Sequence, residues 1–120
     1  MPLGIVYIFI KLLEHKVELV AERAEIALVK IGEKAIPALI EVLKNGGENI
    51  KFKAMRGLIR IGEKAIPALI KLLKDKNCLF YVVNALGLIG EKAIPALVEV
   101  LKEKDELIEK SATQAIKNMR

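Results

Sequence analysis

The sequence predicts an all-α fold, a solenoid made by stacking helical hairpins of about 30 residues. Two observations support this prediction. The segment IGEKAIPALIEVLK begins at Ile31 and returns with few changes at Ile61 and Ile89, at offsets of 30 and 28 residues. Each copy also carries apolar residues at helical spacing on both sides of a short polar turn. A repeated unit with two apolar helices buries them by packing against its neighbours.

The first helix of the unit has one apolar face. Ala24, Ala27, Leu28 and Ile31 follow the spacing i, i+3, i+4 and i+7. Gly32 comes next, at the position where a helix end favours a residue that tolerates positive φ. The pattern predicts that residues 33–35 form a tight turn.

The second helix of the unit begins after this turn. Its apolar stripe consists of Ile36, Leu39, Ile40 and Leu43. Pro37 lies in the first turn, where a missing N–H costs nothing. The residues Lys44, Asn45, Gly46 and Gly47 are expected to end the helix.

The same pattern extends to both ends of the chain, because residues 10–14 align with residues 40–44. We expect roughly eight helices, at about 3–14, 17–31, 35–45, 48–61, 65–75, 77–89, 93–103 and 105–119. We expect one domain, residues 1–120. It comprises a half repeat at 1–14, repeats at about 15–45, 46–75 and 76–103, and a C-terminal capping helix at 104–120.

The repeated IGEKAIPAL segment, with helices such as AEIALVKIG from Ala24 before it, resembles the HEAT-repeat family. The similarity is to its short form of about 30 residues, the phycobilisome-lyase HEAT-like repeat. This resemblance implies a right-handed α-α superhelix of the armadillo-like class. It also implies a protein-binding or scaffold role, with second helices lining a concave face on which partners dock.

The residues that carry enzyme chemistry are few and scattered. Ser111 and Thr113 are the only serine and threonine, and His15 and Cys78 are the only histidine and cysteine. Nucleophilic catalysis and metal binding need several such groups to converge. We therefore expect no catalytic residue, no metal and no cofactor. We expect His15 in the loop after the first helix and Cys78 in the core.

The resembled family has two branches with enzyme activity, and neither has a motif that this sequence matches. One branch resembles deoxyhypusine hydroxylase, whose iron site uses His-Glu pairs. This sequence has no His-Glu dipeptide, and Glu14-His15 runs in the reverse order. The phycobilisome lyases offer no catalytic motif that we can place here. An oxidoreductase-like or lyase-like role would therefore rest on the family name alone.

The second helices offer a candidate partner-binding surface. Its residues are Tyr7, Lys11, Glu41, Lys71 and Glu99, beside a row of prolines at 37, 67 and 95. The charges alternate in sign, which argues against a simple groove for phosphates. A mixed polar and apolar peptide groove fits better, with Tyr7 as the aromatic anchor.

The chain also has a candidate basic patch. Residues 51–76 hold eight basic and two acidic residues, a net charge of +6 in a chain of net +5. Its stripe is Lys53, Arg56 and Arg60, and Arg23 and Lys30 occupy the corresponding positions one repeat earlier. The patch could bind nucleic acid, or it could be a solvated outer surface. Only Phe52 and Phe80 could stack on bases there, and they could equally be lids on the core.

The first helix is apolar on all sides, and we expect no upstream segment to cover it. We therefore predict that Ile5, Ile8 and Phe9 form an oligomer interface, in the simplest case a two-fold homodimer. The apolar run is about eight residues long, too short to span a membrane, and lacks signal-peptide features. One cysteine fits a reducing cytoplasm, and abundant Lys and Glu with a single Gln resemble a thermophile.

Overall fold

The computed structural model describes residues 3–119, so positions 1, 2 and 120 of the predicted half repeat and capping helix lie outside it. Within that range eight α-helices follow one another. They are α1 (Leu3–Leu12), α2 (Glu18–Ile31), α3 (Ile36–Asn45), α4 (Glu48–Ile61), α5 (Ile66–Lys71), α6 (Leu79–Ile89), α7 (Ile94–Leu101) and α8 (Glu106–Lys117). The predicted all-α solenoid is confirmed.

The corner between the two helices of each hairpin is set by glycine and proline. Gly32, Gly62 and Gly90 end α2, α4 and α6 with φ of +72°, +84° and +91°. Such angles strain a residue with a side chain, so the glycine is required. A 3₁₀ turn follows each glycine, and a proline then occupies the first turn of α3, α5 and α7.

The helices form two layers. The first helices of the hairpins, α2, α4, α6 and α8, pack each against the next, and the second helices, α1, α3, α5 and α7, do the same. Leucines fill the space between the layers, and those at 28, 39, 43, 58, 69, 73, 86 and 97 are fully buried. Each such side chain contributes about 1.5–3 kcal/mol through burial.

The first helices approach one another through small residues. Ala24, Ala54, Val82 and Ala112 occupy one repeat position, and all four are buried. The second helices keep their outer faces in solvent along the whole row, and these faces carry the candidate site.

The fifth helix is shorter than its sequence pattern predicts. The prediction was 65–75, but α5 ends at Lys71 and a 3₁₀ turn, Leu72–Lys74, continues it. Asp75 then adopts an extended conformation, and its side chain accepts a hydrogen bond from the Asn77 N–H at 3.0 Å. Short polar side chains that bond the backbone in this way compete with helix.

Candidate functional site

The exposed face of the second helices carries one charged row. Lys11 lies on α1, Glu41 on α3, Lys71 on α5 and Glu99 on α7, and all four side chains are exposed. They share one repeat position on four adjacent helices, so their signs alternate along the row. Tyr7 lies one turn before Lys11 and is 53% exposed. We call these five residues the second-helix face.

Shallow grooves run between the helices beneath this row. The groove between α3 and α5 has a volume of about 600 Å³ and is lined by Pro37, Ile40, Pro67 and Lys71, among others. The groove between α5 and α7 measures about 530 Å³, and Pro67, Lys71 and Glu99 line it together with aliphatic side chains. The charged side chains of the row stand above apolar grooves, and this arrangement suits a partner peptide with both polar and apolar side chains.

The charges of the row are held only by local contacts. Glu41 accepts a hydrogen bond from Asn45 at 2.6 Å, and Glu99 pairs at 3.1 Å with Lys102, the residue that follows α7. Among the described residues, no ion pair joins one member of the row to the next. Exposed pairs of this kind contribute about 0–1 kcal/mol, so a partner can replace them at little cost.

The basic patch is built around an acid that the sequence pattern did not reveal. Arg56 donates to Glu25 Oε1 from Nε at 3.0 Å and from Nη2 at 2.6 Å, and Arg60 Nη1 donates to Oε2 at 2.8 Å. The Glu25 side chain is 6% exposed, whereas those of Arg56 and Arg60 are 42% and 47% exposed. One buried carboxylate therefore neutralises half the charge of the two arginines.

The sequence did contain a signal for this acid. Glu25 occupies the repeat position of Met55 and Val83, both of which are buried. A carboxylate at a core position needs a partner, because an unpaired buried charge is costly. The neighbouring stripe of Arg56 and Arg60 supplies that partner.

Lys53 also has a structural role within the patch. Its Nζ donates to the carbonyl oxygen of Leu13 at 2.9 Å and lies 3.8 Å from Glu18. At the equivalent position of α8, Ser111 Oγ lies 3.4 Å from Leu73 O, but its single hydroxyl proton serves the shorter bond to Leu107 O. Through Lys53 this repeat position ties a first helix, α4, to the end of an earlier second helix, α1. Arg23 has the same position on α2 and, like Lys30, is exposed.

The N-terminal end of the solenoid exposes apolar side chains. Val6 is buried against the core, whereas Ile5 and Ile8 are 40% and 59% exposed, and Phe9 is half-buried. A helix that is apolar on all sides is normally buried on more than one face, and in this structure one side of α1 meets the core. A groove of about 290 Å³ lies beside it, lined by Phe9, Leu12, Leu19, Val20, Arg23 and Ala24.

The side chains that could take part in catalysis lie apart from one another. Exposed His15, in the turn after α1, accepts a hydrogen bond from the Val17 N–H at 3.1 Å through Nδ1. Cys78 is fully buried, and burial followed by the charge of Asp75 raises the pKa of its thiol. Ser111 donates to Leu107 O at 2.8 Å. Both placements predicted from sequence, His15 in a loop and Cys78 in the core, are confirmed.

Residues 3–119 contain no cluster of three or more histidine, cysteine, aspartate or glutamate side chains that could hold a metal ion. In the same range no single helix is long and apolar enough to cross a membrane. Leu79–Ile89 and Glu91–Leu101 would suffice together by length and composition, but they meet at an angle of 111°.

Residues 36–117 of the chain match the family model of HEAT repeats. A crystal structure of an engineered protein is 25% identical to this chain and covers 94% of it, with a TM-score of 0.38. The match spans 61% of that engineered protein, and a TM-score so low supports no argument. No curated protein matches the chain.

Proposed function

Because the chain belongs to the HEAT-repeat family, we propose that it is a non-catalytic protein-interaction or scaffold module. HEAT repeats generally mediate contacts between proteins. The binding surface in this proposal is the second-helix face. The observation that supports it is the exposed row of Lys11, Glu41, Lys71 and Glu99 above grooves lined by proline and aliphatic side chains.

The proposal includes the absence of catalysis and of a cofactor. HEAT repeats are typically non-catalytic, and His15, Cys78 and Ser111 lie on separate elements. A lyase-like or oxidoreductase-like role has only the family name in its favour. A pigment or metal that remained bound through purification would revive that role.

A pull-down from lysate tests the proposal, with half of the sample treated with nuclease. We expect a protein to be recovered in stoichiometric amount from both halves. Lys71→Glu should reduce its recovery, whereas the matched control Lys110→Glu, at an exposed site on α8, should not. Recovery that is the same for Lys71→Glu and for the unmodified protein would refute binding through the second-helix face.

A second candidate function is nucleic-acid binding through Arg23, Lys30, Lys53, Arg56 and Arg60. The observations in its favour are the partial exposure of Arg56 and Arg60 and the exposed ring of Phe52. Glu25 weakens this candidate by neutralising part of the charge. Binding should then fall steeply with salt, and reversing the charges of Arg56 and Arg60 should abolish it. A capture that disappears with nuclease would favour this candidate.

A homodimer through α1 is a third element of the proposal. Ile5, Ile8 and Phe9 would meet their copies about a two-fold axis, which covers the same apolar surface on both partners. The double variant Ile8→Lys/Phe9→Lys should give a soluble monomer of 13.3 kDa by light scattering. Phe80→Lys, at an exposed site on α6, is the control and should leave the mass unchanged. An unmodified protein that is already monomeric would rule out a homodimer through α1.

Finer assignments also belong to the proposal. They are a single domain over residues 1–120, repeats of the short phycobilisome-lyase type, a cytoplasmic location and a thermophilic source. The 28- and 30-residue offsets support the short repeat type, and the Lys- and Glu-rich composition supports the source. A melting temperature above about 90 °C would agree with a thermophilic source, and one near 50 °C would contradict it.

A further inference from the structure

We infer that the second-helix face takes an extended peptide whose charges alternate in sign at every third residue. This inference rests on the proposed function and specifies the chemistry of the partner. Its bound segment would present acid, base, acid and base in turn to Lys11, Glu41, Lys71 and Glu99.

The three-residue period comes from helix spacing. α1, α3, α5 and α7 pack side by side, and packed helices lie about 8–10 Å apart. A polyproline II chain advances about 3.1 Å per residue, or about 9.3 Å in the three residues of one turn. Because this chain has three residues per turn, every third side chain lies on the same side of it and reaches the next helix of the row.

The alternating charges give the peptide a direction. An acid-x-x-base-x-x-acid-x-x-base segment can pair all four positions when its first residue lies at Lys11. The same segment in the reverse direction places four like charges together, which is unfavourable. Alternation therefore fixes both the register and the polarity of the bound chain.

The peptide residues between the charged positions should be proline or aliphatic. The grooves beneath the row are lined by Pro37, Pro67 and aliphatic side chains such as Ile40 and Ile70. Proline and aliphatic residues fill such grooves without leaving polar groups unpaired. Proline also holds the peptide extended before binding, which reduces the entropy lost when it binds.

Two synthetic peptides of equal composition test the inference. Both have proline and leucine between their charges. The alternating peptide has Glu, Lys, Glu and Lys at every third position, and the block peptide has Glu, Glu, Lys and Lys. In either direction the block peptide pairs two sites and repels two. At low salt, calorimetry should show about tenfold tighter binding of the alternating peptide, within the range of exposed ion pairs.

A charge swap in the protein supplies the matched control. Glu41→Lys/Lys71→Glu keeps the net charge and turns the row into Lys, Lys, Glu, Glu. Both sites are exposed, so circular dichroism and the melting temperature should stay unchanged. The swapped protein should prefer the block peptide by a similar factor, because that peptide now pairs all four sites.

Three results would overturn the inference: equal binding of both peptides to the unmodified protein, no inversion by the swap, or no binding of either peptide at about 1 mM. None of these results decides the proposed function. That proposal fails if lysate capture is the same for Lys71→Glu and the unmodified protein, or if the capture disappears with nuclease, so the two failures can be told apart.

Discussion

The Glu25 cluster predicts that removing the arginines costs far more stability than removing the acid. Glu25 is buried and pairs with two arginines that each keep nearly half of their side-chain surface in solvent. Glu25→Met introduces the residue found at the same repeat position, Met55, and leaves two arginines that water can solvate. Arg56→Met/Arg60→Met instead leaves a buried carboxylate without a partner.

The expected losses of stability follow from the difference in burial between Glu25 and the two arginines. Stranding one member of a buried ion pair costs about 3–5 kcal/mol, and partial exposure of the arginines places this case near the lower value, about 3 kcal/mol. Replacing the buried charge by an apolar residue of similar volume is often neutral, so we expect Glu25→Met to change stability by about 1 kcal/mol or less. Methionine keeps much of the apolar stem of arginine, which limits lost packing.

Urea unfolding followed by circular dichroism measures both effects. With a slope of about 2 kcal/mol per molar, the double arginine variant should lose about 1.5 M in its midpoint. The triple variant, with Glu25→Met added, should regain most of that loss, because no buried charge remains. If Glu25→Met costs as much as the double arginine variant, or if the triple variant regains nothing, burial of the acid does not control the cluster.

Three further predictions concern helix ends and one tyrosine. Asp105 caps α8 by accepting a hydrogen bond from the Ile108 N–H at 3.1 Å, and this bond holds the pKa of its carboxyl below 3.8. Its contribution to stability is present above pH 3.8 and lost as the pH falls through the lowered value, so Asp105→Asn should lose less stability in acid when urea midpoints are compared. The hydrogen bond from Tyr81 to Glu48 raises the pKa of the tyrosine above 10.0, and its contribution is lost as the pH rises through that raised value. In a Tyr7→Phe background, Tyr81 should therefore ionise above pH 10.0 by ultraviolet absorbance, and Glu48→Gln should lower the midpoint. Gly62→Ala should cost about 1–2 kcal/mol in a urea titration because of the φ of +84°, and a neutral result would contradict the strain at that corner.

The fold was predictable because its determinants are local and repeated. A stripe of apolar residues marks each helix, and Gly32 and Pro37, five positions apart, mark the corner. The same helix–turn–helix pattern occurs three times, so the assignment of the helices does not depend on a single apolar run. The early end of α5 escaped prediction because apolar spacing does not distinguish an α-helix from the 3₁₀ turn at Leu72–Lys74 that continues it.

The surfaces were predictable only in part, because their chemistry depends on contacts between repeats. The exposed row of Lys11, Glu41, Lys71 and Glu99 could be placed from helical spacing alone. The stripe of Arg56 and Arg60 could be placed in the same way, but its partner, Glu25, lies more than 30 positions earlier. Periodicity assigns a residue to a face, whereas the pairing across two helices depends on how those helices pack.

Mapping the bound partner on the protein shows whether it binds through the second-helix face. Amide chemical shifts of ¹⁵N-labelled protein would be followed while the protein recovered by pull-down is added. We expect the largest changes on α3, α5 and α7 and at Tyr7 and Lys11 of α1. Changes confined to α2 and α4, around Glu25, Arg56 and Arg60, would show that the partner does not bind through the second-helix face.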